Sequence, residues 1–456
     1  MNKNVISVID GEAGSCGKAK VVGEIATDIE INLGASVTNC MPNAGHTFVD
    51  ENGNRTVFRN IPVSVVNSNT ELFIGPGSAI DMSVFVDEYS NAERYLGERK
   101  IYVHEMVPLI DEKHKEYERQ HVKSGSTFKG CGAVSRDKIM RDPNLEFFKG
   151  YKNAVVCSNE EWLDRLYSHL DNTDEYVMLE GAQGCDLSLN HSGNYPYVTS
   201  RNVSTAQLLA DCGISVDRLL ETIMVIRPFP IRISNLTRDG EIRFSGKYGT
   251  GDELTWSQIN IASQENGYPF CGDISSLVYD FDISLDERIE DVLSMYFNLP
   301  NIYKIQLFGN GDTGFEFDNL SLIKALEIER LYHKNRGSRV YQSIILNRDG
   351  DGYFINDLSE DTTVTKMERR VFDLDINKLK NNIRINNPYG LYLNFFQQLS
   401  QEYYGAMGNI RDFCFDRNTI ERYIDWLEGE TGKKVIAFGT GEKNNERILV
   451  KSLLKR

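Results

Sequence analysis

The chain has 456 residues and the composition of an ordinary globular protein, with 41% hydrophobic and 25% charged residues and a formal net charge of −16. This acidic balance argues against a general nucleic-acid binder, whose surface is normally basic. No segment offers the roughly 18–20 apolar residues that cross a bilayer. The short apolar run near the N-terminus ends in an acid, which argues against a secretory signal.

The eight cysteines include no pair with C-x-x-C spacing. This usage predicts reduced structural thiols rather than a disulfide framework, a zinc site or a redox motif. We therefore expect a cytoplasmic protein, in the host cytoplasm if the source is viral.

The predicted elements begin with a buried strand over residues 5–9, a glycine-rich turn and a helix from Lys18. Further strand-like runs, each leading into a polar loop that contains glycine or proline, lie at 36–38, 72–74, 177–179 and 222–226. Helical patterns lie between them, for example at 160–170 and 206–212. This order predicts an α/β fold with a large, mostly parallel central sheet, flanking helices and ligands at the carboxyl edge.

Residues 257–361 differ in composition and hydrophobic pattern from the rest of the chain. They are acidic, with strand-like pieces at 303–307 and 341–346 and a helix-like piece at 320–332. The run NRDGDG at 347–352 lacks a full calcium-loop pattern and lies between apolar segments, which favours a hairpin turn. We expect a core of residues 1–256 and 362–456, and an inserted α+β subdomain of unassigned role over 257–361.

The stretch GEAGSCGKAK, residues 11–20, follows the first strand and only partly matches a P-loop. Five residues separate Gly11 from Gly17, and Lys18 is followed by Ala19. The common pattern has Ser or Thr after the lysine and one residue fewer between the glycines. Strand, glycine loop and helix nevertheless form the arrangement in which backbone N–H groups and a helix N-terminus bind phosphate.

Further motifs follow in order: NAGHT at 43–47, GSTFKGCG at 125–132, EGAQG at 180–184 and YPYVTS at 195–200. This ordered set resembles the adenylosuccinate synthetase family, whose members join aspartate to a 6-oxopurine nucleotide at the expense of a nucleoside triphosphate. The resemblance covers residues 3–256 and 362–450. It implies Mg²⁺ as cofactor and small-molecule substrates, with no nucleic acid or membrane as partner.

Ser15 stands where the family usually has an aspartate, and LNFF at 393–396 replaces the usual guanine-reading segment. Together with MPNAGHT, DELTW and TTVTK, these features are similar to a viral branch of the family that acts on dGMP. A small, neutral Ser15 leaves room for the 2-amino group of guanine. Because a serine hydroxyl is a poor base without a partner, the proton acceptor is left open, with Asp10 and Glu12 as nearby candidates.

The resemblance implies a role for each matching residue. Catalysis is implied for Ser15, Lys18 and His46, and magnesium binding for Ser15 and Gly45. Triphosphate binding is implied for Gly14, Gly17, Lys18, Ala19, Gly45, Thr47, Asn394, Gly439 and Gly441. Binding of the nucleotide dGMP is implied for Ser15, Asn43, Ser126, Thr127, Arg141, Gln183, Thr199 and Arg232. Aspartate binding is implied for Thr363, Val364, Thr365, Arg369 and Arg370.

Three further expectations follow from these positions. Arg141 matches the arginine that reaches into the neighbouring subunit's site in family dimers, which implies a homodimer. Met367 replaces the first arginine of the family's aspartate loop, and this fits a deoxynucleotide, which has no 2'-hydroxyl to bind. The replacement also leaves open which residues bind the aspartate carboxylates. Since no acid remains to select guanine in the triphosphate, ATP or dATP is the expected co-substrate.

The leading hypothesis is an ATP-dependent ligase that forms 2-amino-2'-deoxy-N6-succinyladenylate from dGMP and L-aspartate through a 6-phosphoryl intermediate. One alternative is an adenylosuccinate synthetase that acts on IMP or dIMP, and Ser15 counts against it. Another is a catalytically silent nucleotide sensor that signals through residues 257–361.

Overall fold

The structure is a computed structural model. It describes residues 2–238, 241–254, 256, 259, 263, 303–309, 312–320, 344–348, 351–355, 359–361, 367–400, 403–412 and 420–454. The described helices are α1 Lys18–Thr27, α2 Met82–Leu96, α3 Glu112–His121, α4 Cys131–Met140, α5 Asn159–Asp171, α6 Thr205–Asp211, α7 Ile376–Asn386 and α8 Ile420–Thr431.

The strands alternate with these helices over the first half of the chain. In chain order they are β1 Val5–Asp10, β2 Leu33–Thr38, β3 His46–Val49, β4 Arg55–Phe58, β5 Glu71–Ile74, β6 Ile101–His104, β7 Ala154–Cys157, β8 Tyr176–Gly184, β9 Leu219–Ile226, β10 Ile231–Arg232 and β11 Leu236–Arg238. The later strands are β12 Glu241–Arg243, β13 Glu253–Leu254, β14 Tyr303–Gly309, β15 Asp312–Leu320, β16 Ile344–Arg348, β17 Asp351–Ile355, β18 Arg370–Phe372, β19 Gly390–Leu393, β20 Gly408–Asn409, β21 Val435–Gly439 and β22 Arg447–Leu449.

The central feature is an eleven-stranded sheet in the order β20-β22-β21-β19-β9-β1-β8-β2-β5-β6-β7. Its neighbours pair in parallel, apart from the antiparallel β21 and β22. β1 lies between β8 and β9, both of which are reached through long crossovers, so the phosphate-loop candidate emerges in the middle of the sheet. The predicted mostly parallel α/β sheet is confirmed.

Side chains of β1 alternate between two apolar cores, one on each face of the sheet. Val5 and Ile9 pack into one core, and Ile6 and Val8 pack into the other. All six residues of this strand are buried, as expected for a strand covered on both faces by helices. The alternation fixes the register, because a shift by one residue would exchange the two faces.

Helix α5 shows how local sequence produces an element of this fold. The Ser158 side chain accepts a hydrogen bond from the Glu161 backbone N–H, which caps the first turn. Trp162, Leu166 and Leu170 then recur every fourth residue and form a buried stripe in the same core as Val5. The helix predicted at 160–170 is therefore confirmed within a residue at each end.

The stretch EGAQG does not form the loop that the sequence suggests. It continues β8 through Gly184, where it pairs with Asp10 of β1 across an irregularity in the ladder. The carboxylate of Glu180 is buried and accepts hydrogen bonds from Ser36 Oγ at 2.7 Å and the Val63 N–H at 2.8 Å. Glycine content suggested a loop, but Glu180 pairs with β1 and β2 and Gly184 pairs with β1, so the stretch forms the irregular end of β8.

Within 257–361, strands β14 to β17 form a separate four-stranded antiparallel sheet in the order β15-β14-β16-β17. Arg348 pairs with Asp351, so the predicted hairpin turn is confirmed. The prediction of a helix from residue 320 is wrong at that position, because Leu320 ends β15; residues 321–332 lie outside the described residues. The strand predicted at 341–346 is observed from Ile344 to Arg348, and 341–343 are not described.

Two sequence expectations concern the chain as a whole. No helix among the described residues has the length and apolar character that a bilayer crossing needs. The six described cysteines are buried and free, as the absence of C-x-x-C spacing predicted; Cys271 and Cys414 lie outside the described residues.

Gly184 is expected to tolerate no side chain, because a Cβ there would lie 2.2 Å from both Glu12 O and Gly14 N. These are backbone atoms that cannot rotate away, so Gly184→Ala should lower the free energy of unfolding by about 1–3 kcal/mol. Gly429→Ala, in α8 with no atom within 4 Å of the added Cβ, is the matched control and should be neutral or slightly stabilising. Equal denaturation midpoints for the two variants would contradict this packing.

Candidate active site

Loops that follow β1, β8, β9, β19 and β21 meet at the carboxyl edge of the central sheet. In open parallel sheets this edge, near the middle of the strand order, is where ligands bind. The phosphate-loop candidate occupies its centre, between the ends of β8 and β9.

The loop from Gly11 to Gly17 is built on left-handed backbone and on one buried carboxylate. Gly14, Ser15 and Gly17 have φ angles of 100°, 58° and 85°. Asp10 Oδ1 accepts from the Glu12 N–H at 3.0 Å, and Asp10 Oδ2 accepts from the Cys16 N–H at 2.8 Å. Asp10 therefore fixes both limbs of the loop and leaves Ser15 exposed at its tip.

Lys18, the first residue of α1, points beneath this loop. Its Nζ lies 3.3 Å from Asp10 Oδ2 and donates to the carbonyl oxygen of Gln183 at 2.8 Å. Gln183 has a φ of 67°, an uncommon backbone state for a residue other than glycine. The structure thus brings the predicted residues Lys18 and Gln183 together, with the lysine paired to Asp10.

The two carboxylates proposed as proton acceptors lie under the loop. Asp10 and Glu12 have no exposed surface. Glu12 Oε1 accepts from the Arg227 N–H at 3.0 Å, and Glu12 Oε2 accepts from Cys16 Sγ at 3.2 Å. Burial, followed by the nearby charge of Asp10, raises the pKa of Glu12 to about 8. Both groups already accept hydrogen bonds from the protein itself.

His46 begins β3 within the NAGHT motif and carries a neutral imidazole. Burial, with the positive charges of Lys18 and Arg59 nearby, lowers its pKa to about 3. Arg59 also donates to the carbonyl oxygens of Pro42 and Ala44 and so anchors the loop before it. His46 Nε2 is buried and finds no hydrogen-bond partner among the described residues. A buried unpaired donor at this edge is available to a ligand oxygen.

The side chain of Asn394, which was expected to contact the triphosphate, packs between Gly17 and Gly439. Its Nδ2 donates to the Cys16 carbonyl oxygen at 2.9 Å. A Cβ at Gly17 would lie 2.0 Å from Asn394 Nδ2, and a Cβ at Gly439 would lie 1.9 Å from Asn394 Oδ1. The structure therefore brings the predicted residues Gly17, Asn394 and Gly439 together and explains why glycines flank the asparagine. Gly441 likewise lies against Glu446, whose Oε2 would be 2.2 Å from an added Cβ.

The residues expected to bind the nucleotide 5'-phosphate lie in separate loops. Ser126 Oγ accepts from the Phe128 N–H at 3.3 Å, and the Thr199 N–H donates to Leu187 O at 2.8 Å. Thr127 lies beside Ser126 and is partly exposed; Asn43 is partly exposed too. Arg141 is exposed and caps the end of α4 with a left-handed φ of 56°.

Arg232, which was expected to lie near the ribose and base, donates hydrogen bonds to backbone carbonyl oxygens of the protein. Its Nε donates to Ser245 O at 3.1 Å, and its Nη2 donates to Tyr197 O at 3.0 Å. Burial lowers its pKa. Its Nη1 has no partner among the described residues, so one N–H group of this arginine is available to a ligand.

The two predicted aspartate-binding arginines have different surroundings. Arg369 Nη1 donates to Ser15 Oγ at 2.8 Å, which places this guanidinium at the tip of the phosphate loop. Arg370 instead pairs with Glu253 through Nε at 2.7 Å and donates from Nη1 to Gly246 O at 2.7 Å. The other predicted aspartate contacts, Thr363, Val364 and Thr365, lie outside the described residues.

Sequence reasoning missed Arg227, which follows β9 in the motif RPFP. It is fully buried, and its guanidinium donates to Ser15 O at 3.3 Å and contacts Glu360. A cation directly after a buried apolar strand must find a partner, and this could have marked the residue. Its partner, Glu360, lies 133 positions later in the sequence, and no local pattern indicated that the two would meet.

The oxygen atoms at this edge fit Mg²⁺ only in a limited way. Among the residues that the structure covers, no three acids, histidines or cysteines form a metal-binding group. The predicted ligands Ser15 Oγ and Gly45 O are neutral oxygens, and Asp10 is already paired with Lys18. Mg²⁺ often binds through few protein groups and takes its other ligands from substrate phosphates and water. This donor set suits an ion that arrives with the triphosphate.

The sequence model of the adenylosuccinate synthetase family matches residues 8–149 and 143–253 of this chain. The chain is 34% identical over 270 residues to the N6-succino-2-amino-2'-deoxyadenylate synthase of Vibrio phage phiVC8, an alignment that covers 56% of this chain and 74% of the relative. It is 33% identical over 248 residues to the enzyme of the same name from cyanophage S-2L, an alignment that covers 52% of this chain and 67% of the relative.

A solved structure supports the same relationship at the level of the fold. The succinoaminodeoxyadenylate synthetase of cyanophage S-2L, bound to dGMP and dATP as an energy donor, matches with a TM-score of 0.65 and 22% sequence identity. The match covers 98% of this chain and 96% of the phage enzyme. The central sheet and flanking helices are therefore shared between the two proteins.

His46 is expected to stay neutral from pH 8 to pH 5, because its pKa lies near 3. In the unfolded chain, the His46 imidazole binds a proton at its ordinary pKa of 6.5, whereas in the folded protein it does so only near pH 3. His46 therefore lowers the free energy of unfolding as the pH falls below 6.5. Imidazole ¹⁵N shifts should therefore remain constant over this range, and His46→Gln should weaken the acid-side loss of stability. A titration midpoint between pH 6 and 7 would contradict the assignment.

Proposed function

The chain belongs to the adenylosuccinate synthetase family of carbon–nitrogen ligases, and from this premise we propose that it joins L-aspartate to C6 of dGMP. ATP or dATP supplies the phosphoryl group, and the products are 2-amino-2'-deoxy-N6-succinyladenylate, the nucleoside diphosphate and phosphate. The matched phage enzymes are named for this product.

One observation carries the choice of dGMP, namely the environment of Ser15. This residue stands exposed at the tip of the phosphate loop, and its hydroxyl accepts a hydrogen bond from Arg369. A serine there leaves more space than an aspartate and brings no negative charge. Guanine differs from hypoxanthine by an amino group beside N1, so a small polar residue at this point suits guanine.

In the first step, O6 of the base attacks the γ-phosphorus of the triphosphate. The bond from O6 to phosphorus forms, the bond to the β-phosphate oxygen breaks, and the N1 proton passes to one of the two nearby carboxylates, Asp10 or Glu12. Backbone N–H groups of the loop and the Lys18 ammonium offset the negative charge that moves during this transfer. His46, held neutral, donates a hydrogen bond to O6 rather than bringing a charge.

In the second step, the aspartate amine attacks C6 and phosphate leaves with O6. The bond from nitrogen to C6 forms, the bond from C6 to O6 breaks, and the proton lost by the amine passes to the departing phosphate. Arg369 lies beside Ser15 and so can hold a substrate carboxylate near C6. Mg²⁺, with Ser15 and Gly45 as protein ligands, would screen the charge of the phosphates.

We also infer that the active form is a homodimer in the cytoplasm of the host cell. The exposed Arg141 at the end of α4 is available to a neighbouring subunit, and the buried free thiols suit a reducing compartment. Light scattering that gives the mass of a single chain for the active species would contradict the dimer.

The substrate is tested by a nucleotide panel with ATP or dATP and L-aspartate, with phosphate release as the readout. We expect turnover with dGMP and little with IMP or dIMP. Ser15→Asp should lower kcat/KM for dGMP by about 100-fold, roughly 2.7 kcal/mol of transition-state stabilisation, and should favour IMP relative to dGMP.

His46→Gln is the matched control for this panel, because loss of the donor to O6 should affect every 6-oxopurine alike. Turnover of IMP without turnover of dGMP would overturn the proposed substrate. Binding of dGMP and ATP without phosphate release would indicate a nucleotide sensor instead of a ligase.

A further inference from the structure

Two guanidinium groups converge on Ser15 from distant parts of the chain. Arg369 Nη1 donates to Ser15 Oγ at 2.8 Å, and Arg227 Nη1 donates to Ser15 O at 3.3 Å. One arginine follows the central strand β9, and the other precedes β18. Together they place two positive charges at the tip of the phosphate loop.

A carboxylate of the chain itself occupies the space between these arginines. Glu360 Oε2 accepts from Arg227 Nη1 at 3.1 Å, and Glu360 Oε1 accepts from Arg227 Nη2. Arg369 Nε lies 3.8 Å from Glu360 Oε2. A carboxylate held by two parallel N–H groups of one guanidinium, with a second guanidinium beside it, is the geometry in which arginines recognise carboxylate ligands.

Arg227 has partners that do not depend on Glu360. Its backbone N–H donates to Glu12, its Nη1 also reaches Ser15 O, and its guanidinium carbon lies 4.1 Å from the centre of the Phe395 ring. The Arg227 side chain has no exposed surface, whereas the Glu360 side chain is 20% exposed. Departure of Glu360 would therefore open the guanidinium to a ligand without removing its other supports.

The charge balance favours such a departure when substrates bind. The triphosphate, the transferred phosphoryl group and aspartate are all anionic, and a fixed carboxylate beside Ser15 would repel each of them. Glu360 also lies just before residues 362–370, the segment that resembles an aspartate-binding loop.

The other two arginines of the site donate most of their N–H groups to the chain itself. Arg370 is paired with Glu253 and with Gly246 O, and Arg232 donates to two backbone carbonyl oxygens. Position 367, where the family has an arginine, holds a methionine. Among the described residues, Arg227 is the guanidinium that shares a carboxylate with Arg369, which makes it a second cation for a dicarboxylate.

We propose that Arg227 and Arg369 together bind a carboxylate of the amino-acid substrate, and that Glu360 occupies this pair until the substrate displaces it. The inference rests on the proposed function and adds to it a carboxylate-binding residue and an internal competitor. The apparent affinity for aspartate is then reduced by the fraction of molecules in which Glu360 is bound.

The test compares Glu360→Gln with Glu253→Gln, the same change made to the partner of the neighbouring Arg370. Because a neutral amide competes poorly for two guanidinium groups, Glu360→Gln should lower KM for aspartate by about fivefold or more with kcat changed less than about twofold. Glu253→Gln should not lower it. Arg227→Lys should raise KM for aspartate by about tenfold or more and leave KM for dGMP nearly unchanged.

Binding of succinate, measured by calorimetry, reports on the arginine pair without any turnover. Glu360→Gln should bind succinate more tightly than the wild type. If the wild type releases no phosphate from dGMP but this difference in succinate affinity appears, the proposed substrate fails and the carboxylate site stands. An unchanged or raised KM for aspartate together with unchanged succinate binding in Glu360→Gln would show that Glu360 only supports Arg227, and would overturn the inference.

Discussion

Asp10, Glu12 and Arg227 have no exposed surface, and Lys18 has almost none, yet all four lie at the carboxyl ends of the central strands. An uncompensated buried charge costs several kcal/mol, so each of these groups must be paired or neutral. Asp10 pairs with Lys18 and with two loop N–H groups, Arg227 pairs with Glu360, and Glu12 holds a raised pKa. The shape of the phosphate loop depends on this pairing.

This constraint connects the loop to the ends of three neighbouring strands of the central sheet. Through Lys18 the loop contacts the end of β8, through Arg227 the end of β9, and through Asn394 the end of β19. The unusual spacing of GEAGSCGKAK follows from these contacts, because Asn394 fills the space beside Gly17 and Gly184 lies directly against Gly14. Ser15 is left at the exposed tip, where a ligand can meet it.

Much of the fold could be predicted from local sequence. Buried apolar runs, glycine turns and a capped amphipathic helix gave the order of elements and the parallel sheet, because those signals act over a few residues. The composition of EGAQG predicted a loop, whereas the pairing of Glu180 with β1 and β2 and of Gly184 with β1 makes it the end of β8. These partners are distant in sequence and gave no local signal. The motifs also pointed to Ser15, His46 and Arg369.

The contacts that define the site could not be predicted, since they join residues far apart in the chain. Arg227 and Glu360 meet across 133 positions, and Asn394 and Cys16 meet across 378. Asn394 was expected to contact a triphosphate, and nothing local showed that it would fill the space between two glycines. Glu360 belongs to a segment in which composition alone suggested no role.

The central claim is that O6 of dGMP becomes the oxygen of the departing phosphate. The direct measurement uses dGMP labelled with ¹⁸O at the 6-position, ATP and L-aspartate, followed by mass analysis of the released phosphate. The account predicts one ¹⁸O atom in each phosphate and none in the succinylated nucleotide. Unlabelled phosphate, or label lost to water, would contradict a 6-phosphoryl intermediate and with it the mechanism proposed for this site.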